Sequence, residues 1–341
     1  MTANSRPVRA AVMGAGSWGT AFAKVLIDAG TPTVLWARRP ELAERINRSG
    51  RNTDYLSEIQ LPSSLRATAD PGEALQGADF VFFALPSQQM RSHLEAWTDK
   101  LPVDAMLVSL MKGIETGTAM RMSEVMAELT GAGPSRIGVV SGPNLAHEIA
   151  GEQPAATVVA CADEQACLRL QAACANEYMR PYTNRDVVGC ELGGAVKNII
   201  AILVGMAEGM GFGDNTRASI ITRGLVETTR LGVALGADST TFSGLAGLGD
   251  LIATCASPQS RNRTFGEQLG RGRKPHEVLG ELFQVVEGVA TSRAVMELAG
   301  RVGIDMPIAE HVVQAVSGEM EPAEVLRSLM SRRRKSEQPT G

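Results

Sequence analysis

Neither cysteine nor charge of one sign is present in the amounts that a metal site, a disulfide frame or a polyanionic partner would require. The five cysteines, Cys161, Cys167, Cys174, Cys190 and Cys255, form no C-x-x-C pair and are odd in number. That spacing argues against a metal site and against disulfides, and for reduced core thiols in a cytoplasmic protein. The 33 basic and 37 acidic side chains leave a formal charge of −4, so the chain as a whole has no field to attract nucleic acid or a membrane surface. Its one basic run, residues 332–335, reads as solvated tail complementing the dipole of the last helix. Also missing are the apolar h-region of a signal peptide and an uncharged apolar run of about 18 residues that would cross a bilayer. There is no internal repeat, and low complexity is confined to the tail 332–341, which is expected to be disordered.

What remains is the composition of a soluble globular protein, 44% hydrophobic and 21% charged over 341 residues. That length suggests two domains, each able to bury a core. The chain is organised around residues 8–30. An apolar run, Ala10–Met13, is followed by Gly14, Gly16 and Gly19 in a G-x-G-x-x-G spacing. After it comes a helical stripe of Trp18, Ala21, Phe22, Val25, Leu26 and Ala29, with Gly30 as the stop. Gly14 suits the tight turn out of the strand, Gly16 a close approach of backbone to a pyrophosphate, and Gly19 close packing of the helix. The free N–H groups at the helix start face the phosphates in such a turn. The glycine spacing alone is weak in a chain with 36 glycines; strand before and helix after make it a dinucleotide-binding turn.

Strands and helices alternate through the first half. Residues 33–37, 80–85, 105–110, 137–141 and 155–161 read as strands, with helices over 41–49, to about Trp97, and about 164–175. The run Phe-Val-Phe-Phe-Ala-Leu at 80–85 has the continuous apolarity of a strand buried on both faces. The pattern predicts an α/β fold with a Rossmann-type, doubly wound, mostly parallel sheet. Ligands sit off the carboxyl ends of such strands, where Met111-Lys112-Gly113 and Gly142-Pro143-Asn144 stand. Beyond about residue 188 the periodicity becomes helical, over about 191–209, 216–235, 264–270, 275–279, 291–302, 307–316 and 322–330. The predicted domains are 1–187 for the dinucleotide, 188–331 all-helical for substrate and catalysis, and a tail 332–341.

The second strand ends in Trp-Ala-Arg-Arg-Pro, so no acid stands where an NAD-specific turn places one for the ribose 2′-hydroxyl. Arg38 and Arg39 stand there instead. Guanidinium groups suit a 2′-phosphate, so NADP(H) is the preferred cofactor and NAD(H) a possible one. The alternative is two solvated surface arginines.

Hydride transfer to a ketone needs a proton donor near the oxygen. The four histidines, His93, His147, His276 and His311, lie in polar helix contexts off the strand ends and are not chosen. Lys197 is a better candidate: a single ammonium in the small, apolar run ELGGAVKNIIAILVGMAEG. Burial makes such a lysine costly unless paired, and lowers its pKa towards a useful range. Gly193 and Gly194 cost helix propensity of about 1 kcal/mol each, which a close approach by cofactor or substrate would explain. A lysine snorkelling out of a core helix is the alternative. Asp250, alone in the glycine-rich stretch GLAGLGDLIATC, can orient Lys197 or simply cap a helix. The cluster Ser257 to Arg263 carries hydroxyl, guanidinium and amide donors for a phosphate or carboxylate, or is a solvated loop.

These motifs together resemble the bacterial NAD(P)-dependent glycerol-3-phosphate dehydrogenase family. The resemblance runs from Val8 to about Met330: GAGSWGTAFA, LWARR, MKGIE, SGPNLAHEIA, ELGGAVKNIIAI, GLAGLGDLIATC, SRNRTFG and VVEGVAT, in that order. It implies reversible reduction of dihydroxyacetone phosphate to sn-glycerol 3-phosphate for glycerophospholipid synthesis. Lys197 is then general acid in reduction and base in oxidation, with Asp250 supporting it and Lys112 near nicotinamide and substrate. Gly142, Asn144, Ser260, Arg261 and Asn262 are implied at the substrate. Ser17, Trp18, Arg38, Arg39, Ala146, Arg261, Val285 and Glu287 are implied at the cofactor. The family more often reads G-P-S-F-A where this chain has Gly142-Pro143-Asn144-Leu145-Ala146; asparagine can still donate a hydrogen bond. A 3-hydroxyacid or 6-phosphogluconate-type dehydrogenase is the competing enzyme reading, since a carboxylate would satisfy Arg261 equally well. A silent NADP(H)-binding regulator would need neither Lys197 nor Asp250. A homodimer is expected from the apolar helices of the second domain.

Overall fold

The structure, a computed structural model, describes residues 8–282 and 284–331; the basic run and tail at 332–341 lie outside the described residues. Eight strands form one sheet in the order β3-β2-β1-β4-β5-β6-β7-β8. They are β1 (Ala10–Met13), β2 (Thr33–Trp36), β3 (Arg66–Thr68), β4 (Phe80–Phe83), β5 (Met106–Ser109), β6 (Ile137–Ser141), β7 (Ala155–Cys161) and β8 (Met179–Asn184). Every neighbouring pair is parallel except β6 with β7. The order reverses between β1 and β4, and the glycine turn sits at that switch point, where ligands bind in open α/β sheets.

Central β4 is buried along its whole length. One face of the sheet packs on Phe22, Val25 and Leu26 of the helix Ser17–Asp28. The other packs on Met90, Leu94 and Trp97 of the helix Met90–Trp97. Two strands escaped the sequence pattern. β3 has only three residues, too few to show a period. β8 carries Pro181 and alternates buried with exposed residues, as an edge strand can.

All strands end by Asn184, and from Val187 the described chain is helical. The long helix Val187–Gly209 is buried from Gly189 to Ala207 without a break. By length and apolarity it would pass for a bilayer span, but 89% of its most apolar window is packed inside the fold. It lies against the helix Arg261–Gly270 at backbone distance. A Cβ on Gly205 would meet the Arg263 carbonyl at 2.0 Å, and one on Gly266 the Ile202 carbonyl at 2.0 Å.

Several helices start earlier than the apolar period indicates, because side-chain caps open them. Asp186 accepts from the Gly189 N–H at 2.8 Å at the head of the long helix. Ser260 accepts from the Arg263 N–H at 3.3 Å at the head of Arg261–Gly270. The glycine-rich stretch is not a loop either: a π-helical turn, Leu245–Gly249, runs straight into a helix, Asp250–Ala256.

Candidate active site

At the end of β1 the Gly14 N–H donates to the Trp36 carbonyl at 3.2 Å. Gly14 has φ +132°, and a Cβ there would lie 2.4 Å from the Ala84 carbonyl, so only glycine makes this turn without strain. Gly19 brings the helix against the turn, its absent Cβ being 1.9 Å from the Gly14 carbonyl. Nothing lies within 4 Å of a Cβ on Gly16. That open space is the mouth of a crevice of about 620 Å³ between the sheet half and the helical half.

The crevice runs from Arg38 and Arg39, exposed just after β2, past the glycine turn to Lys112 and Lys197. Arg38 has no acidic partner among the described residues, whereas Arg39 pairs with Asp54, which also takes Arg45 at 2.6 Å. Ser17, Trp18, Gln284 and Val285 line the middle. Trp18 Nε1 is buried with no acceptor among the described residues, a donor in want of a ligand atom. Gln284 from the helical half reaches Ser17 Oγ at 3.5 Å. These groups fit a dinucleotide: an unobstructed glycine turn, an unpaired guanidinium at one end, and an orphaned indole N–H between.

At the other end two ammonium groups share one carboxylate. Asp250, 1% exposed, accepts from Lys197 with Oδ1 and from Lys112 with Oδ2, the second at 2.7 Å. Lys112 also donates to the Gly142 carbonyl at 2.8 Å, and Lys197 to Thr254 Oγ1 at 2.6 Å. Burial pulls the Lys197 ammonium down to about 7; Asp250 opposes that shift and the Lys112 charge adds to it. Asp250 is therefore not a helix cap: Gly249 holds the cap position, and the carboxylate faces the lysines.

Asn198 donates to the Lys112 carbonyl at 3.1 Å and accepts from Asn262 at 3.0 Å, while Asn262 accepts from the Gly288 N–H at 2.9 Å. This chain of amides joins the end of β5 to three helices. Arg261 reaches across to the Val285 carbonyl at 2.8 Å. Glu287 clasps Ser87 of the sheet half, accepting from its Oγ at 2.6 Å and its N–H at 3.1 Å. Burial pushes the Glu287 carboxyl above the usual carboxylate range.

Ser260, Arg261, Asn144 and Ala146 border the crevice together with the two lysines. Gly142 and Asp250 do not border it; both sit beneath the lysines and hold them. Asn144 donates to Thr157 Oγ1 at 3.1 Å, while its own Oδ1 is buried and has no partner among the described residues. The close approach at Gly193 and Gly194 comes from the chain itself, not from cofactor or substrate. A Cβ on Gly193 would meet the Ala246 carbonyl at 2.5 Å, and one on Gly194 the Ser141 hydroxyl at 2.9 Å. The long helix is thereby pressed onto the segment that carries Asp250.

Three of the four histidines stand in surroundings that the sequence did not show. His93 lines the crevice and packs edge-on against Trp36 and Trp97, and His147 lines it as well. His311 is buried, bridging the Pro307 carbonyl at 2.6 Å and Ser328 Oγ at 2.7 Å. Sequence reasoning missed Thr254 and Asn198. Thr254 lies four residues after Asp250 on a helix that the sequence did not reveal; Asn198 adjoins Lys197 but carries no charge to mark it.

The chain is similar to known proteins along nearly its whole length. Models of the NAD-dependent glycerol-3-phosphate dehydrogenase N-terminus and C-terminus match residues 9–167 and 186–327. The chain is 59% identical over 333 residues to a glycerol-3-phosphate dehydrogenase, NAD(P)+, from Streptomyces griseus, covering 98% of this chain and 99% of that one. Identity to the Corynebacterium glutamicum protein of the same description is 55% over 333 residues, covering 97% and 100%. The crystal structure of glycerol-3-phosphate dehydrogenase from Coxiella burnetii superposes with a TM-score of 0.91 at 34% identity, covering 96% and 99%. A D-mandelate dehydrogenase, at 12% identity and a TM-score of 0.60, covering 92% and 98%, shares the fold alone.

Proposed function

The chain belongs to the NAD-dependent glycerol-3-phosphate dehydrogenase family, and from that premise we propose that residues 1–187 hold the dinucleotide, residues 188–331 hold the substrate, and Lys197 moves the proton. The reaction is the NAD(P)-dependent interconversion of dihydroxyacetone phosphate and sn-glycerol 3-phosphate. The observation that carries the site assignment is the Lys112–Asp250–Lys197 cluster at one end of a crevice that runs past the glycine turn to Arg38 and Arg39.

A nicotinamide bound in the crevice supplies the hydride. The chain supplies the rest. Lys197 presents its ammonium to the carbonyl oxygen, stabilises the alkoxide that develops, and gives up a proton to it. Asp250 fixes both lysines, and Thr254 holds the Lys197 amine on one side so that its remaining proton faces the crevice. Lys112 adds a second cation. The substrate phosphate is placed at the first turn of the Arg261–Gly270 helix, where Ser260, Arg261 and Asn262 border the crevice and the helix dipole favours an anion. Holding that phosphate orients the ketone, which removes part of the barrier. The Glu287–Ser87 clasp and the Gln284–Ser17 contact span the two halves and help to exclude water.

Spectrophotometric assay of NADPH and NADH oxidation with dihydroxyacetone phosphate tests this reading. NAD(P)H oxidation with 3-keto acids instead, or NAD(P)+ reduction with 3-hydroxy acids, would replace it with the hydroxyacid reading, and no turnover with any small ketone would favour a silent binder. Arg261→Ala is expected to raise the KM for dihydroxyacetone phosphate about 10- to 100-fold, the worth of one charge-assisted hydrogen bond. Its kcat should change by only a few-fold. A loss confined to cofactor affinity would move Arg261 off the phosphate.

The preference for NADP(H) over NAD(H) is assigned to Arg38 and Arg39. Arg38→Asp combined with Arg39→Ala should shift the kcat/KM ratio towards NADH by about 10- to 100-fold. An unchanged ratio would return both arginines to the solvated surface. A homodimer is supported by half-exposed Phe212, Val233 and Ile252 on the helical half; light scattering at twice the chain mass would bear it out. A cytoplasmic location is supported by five free, buried cysteines.

A further inference from the structure

We propose that Asn52 is a positioning residue for the cofactor's pyrophosphate, acting through the peptide that joins Ala15 to Gly16. This rests on the placement of the dinucleotide given above. After the helix Pro40–Ser49 the chain reverses at Gly50, with φ +63°, and residues 52–56 fold back so that Asn52 and Leu56 bridge. Asn52 is 0% exposed. Its amide nitrogen has two hydrogens and uses both, one on the Ala15 carbonyl at 2.9 Å and one on Thr20 Oγ1 at 2.8 Å. Its own Oδ1 is buried without a partner among the described residues.

A fully enclosed amide with an orphaned oxygen is a poor choice for packing alone, since a leucine fills the same volume without the unmet acceptor. What the amide does is hold one carbonyl. In a planar trans peptide the C=O and the next N–H point in opposite directions, and the described residues contain no cis peptide. With the Ala15 carbonyl drawn to Asn52, the Gly16 N–H is turned away from Asn52. Gly16 is the turn residue with open space around it on the crevice side. Asn52 thus fixes the peptide whose N–H meets the pyrophosphate, and its bond to Thr20 ties the same amide to the first turn of the helix Ser17–Asp28. Two residues on, Asp54 holds Arg39 at the adenosine end. The pyrophosphate and the adenosine end of the cofactor are therefore served by different residues of one segment, and can be separated.

The test uses the full-length enzyme with NADPH and with adenosine 2′-monophosphate, which carries the 2′-phosphate but no pyrophosphate. Asn52→Ala should raise the KM for NADPH at least 10-fold. Its kcat, its KM for dihydroxyacetone phosphate and its Ki for adenosine 2′-monophosphate should stay within twofold. Thr20→Val removes the other hydrogen bond of the same amide and should lower Tm comparably, yet leave the KM for NADPH within twofold. Asn52→Leu, of similar shape without the donor, should repeat the Asn52→Ala result and serves where the smaller residue compromises folding. The inference is overturned if a folded Asn52 variant keeps its NADPH KM. It is overturned equally if NADPH and adenosine 2′-monophosphate weaken together, or if Thr20→Val matches the NADPH loss. Failure of adenosine 2′-monophosphate to compete with NADPH in the unaltered enzyme would overturn the cofactor placement itself, and this inference with it.

Discussion

Replacing Lys197 by methionine should lower kcat for dihydroxyacetone phosphate reduction by about a thousandfold or more, while the Kd for NADPH changes by only a few-fold. General acid catalysis is worth about a hundred- to ten-thousandfold, and a cation beside a developing alkoxide adds to that. Lys197 supplies both from one atom, held by Asp250 and Thr254. Methionine keeps the unbranched stem in its apolar helix, so the fold should survive. Near-normal turnover in a folded variant would take Lys197 out of the mechanism. The unaltered enzyme gives a second readout. With the amine pulled down to about 7 by burial, reduction needs the protonated form and oxidation the neutral one. In the free enzyme, kcat/KM for reduction should therefore fall as pH rises through about 7, and kcat/KM for oxidation should rise. Anionic phosphate in the bound complex favours the ammonium, so the kcat inflection should lie at higher pH than the kcat/KM inflection. Profiles without opposite slopes around a shared inflection would contradict this.

Lys197 and the glycine turn were legible in the sequence because each is a local anomaly. An ammonium in an otherwise small, apolar helix stands out within two turns, and the glycine spacing is flanked by its own strand and helix. The buried strands β4, β5 and β6 show as continuous apolar runs for the same reason. What periodicity cannot report is which surface a buried face meets. Gly193 reads as a propensity cost, but only the fold shows that it admits the Ala246 carbonyl. Asp250 stands out as a lone carboxylate; that it serves two lysines depends on Lys112 arriving from 138 residues away. Thr254, Asn198 and Asn52 are uncharged polar residues in ordinary sequence contexts, and their parts come wholly from tertiary hydrogen bonds. The antiparallel β6–β7 pair escaped because strand direction is set by the connection, and the short helix Ala146–Ala150 between them did not show in the sequence pattern.

Asp250→Asn should lower kcat/KM for reduction at pH 7.5 by about a hundred- to a thousandfold, with a loss that shrinks on acidification. The Asp250 carboxylate raises the Lys197 pKa, against burial and the Lys112 charge, which lower it. Asparagine keeps the shape and one acceptor oxygen but removes that charge, so the Lys197 pKa should fall further below 7 and less amine should be protonated at neutral pH. Lowering the pH restores the protonated form and part of the rate; Asp250→Ala, which also loses the acceptor, should recover less. Removing one partner of a buried ion pair commonly costs about 3–5 kcal/mol. Here Lys197, already pulled down to about 7 by burial, can shed its proton rather than bear an unpaired charge, so the stability loss should be smaller at pH 8 than at pH 6. The two trends run in opposite directions with pH, activity improving where stability worsens. A purely structural aspartate would lose both together, so measuring kcat/KM and Tm for Asp250→Asn across pH 6 to 8 separates charge support from scaffolding. A uniform rate loss with an unmoved inflection would leave Asp250 as an orienting group only.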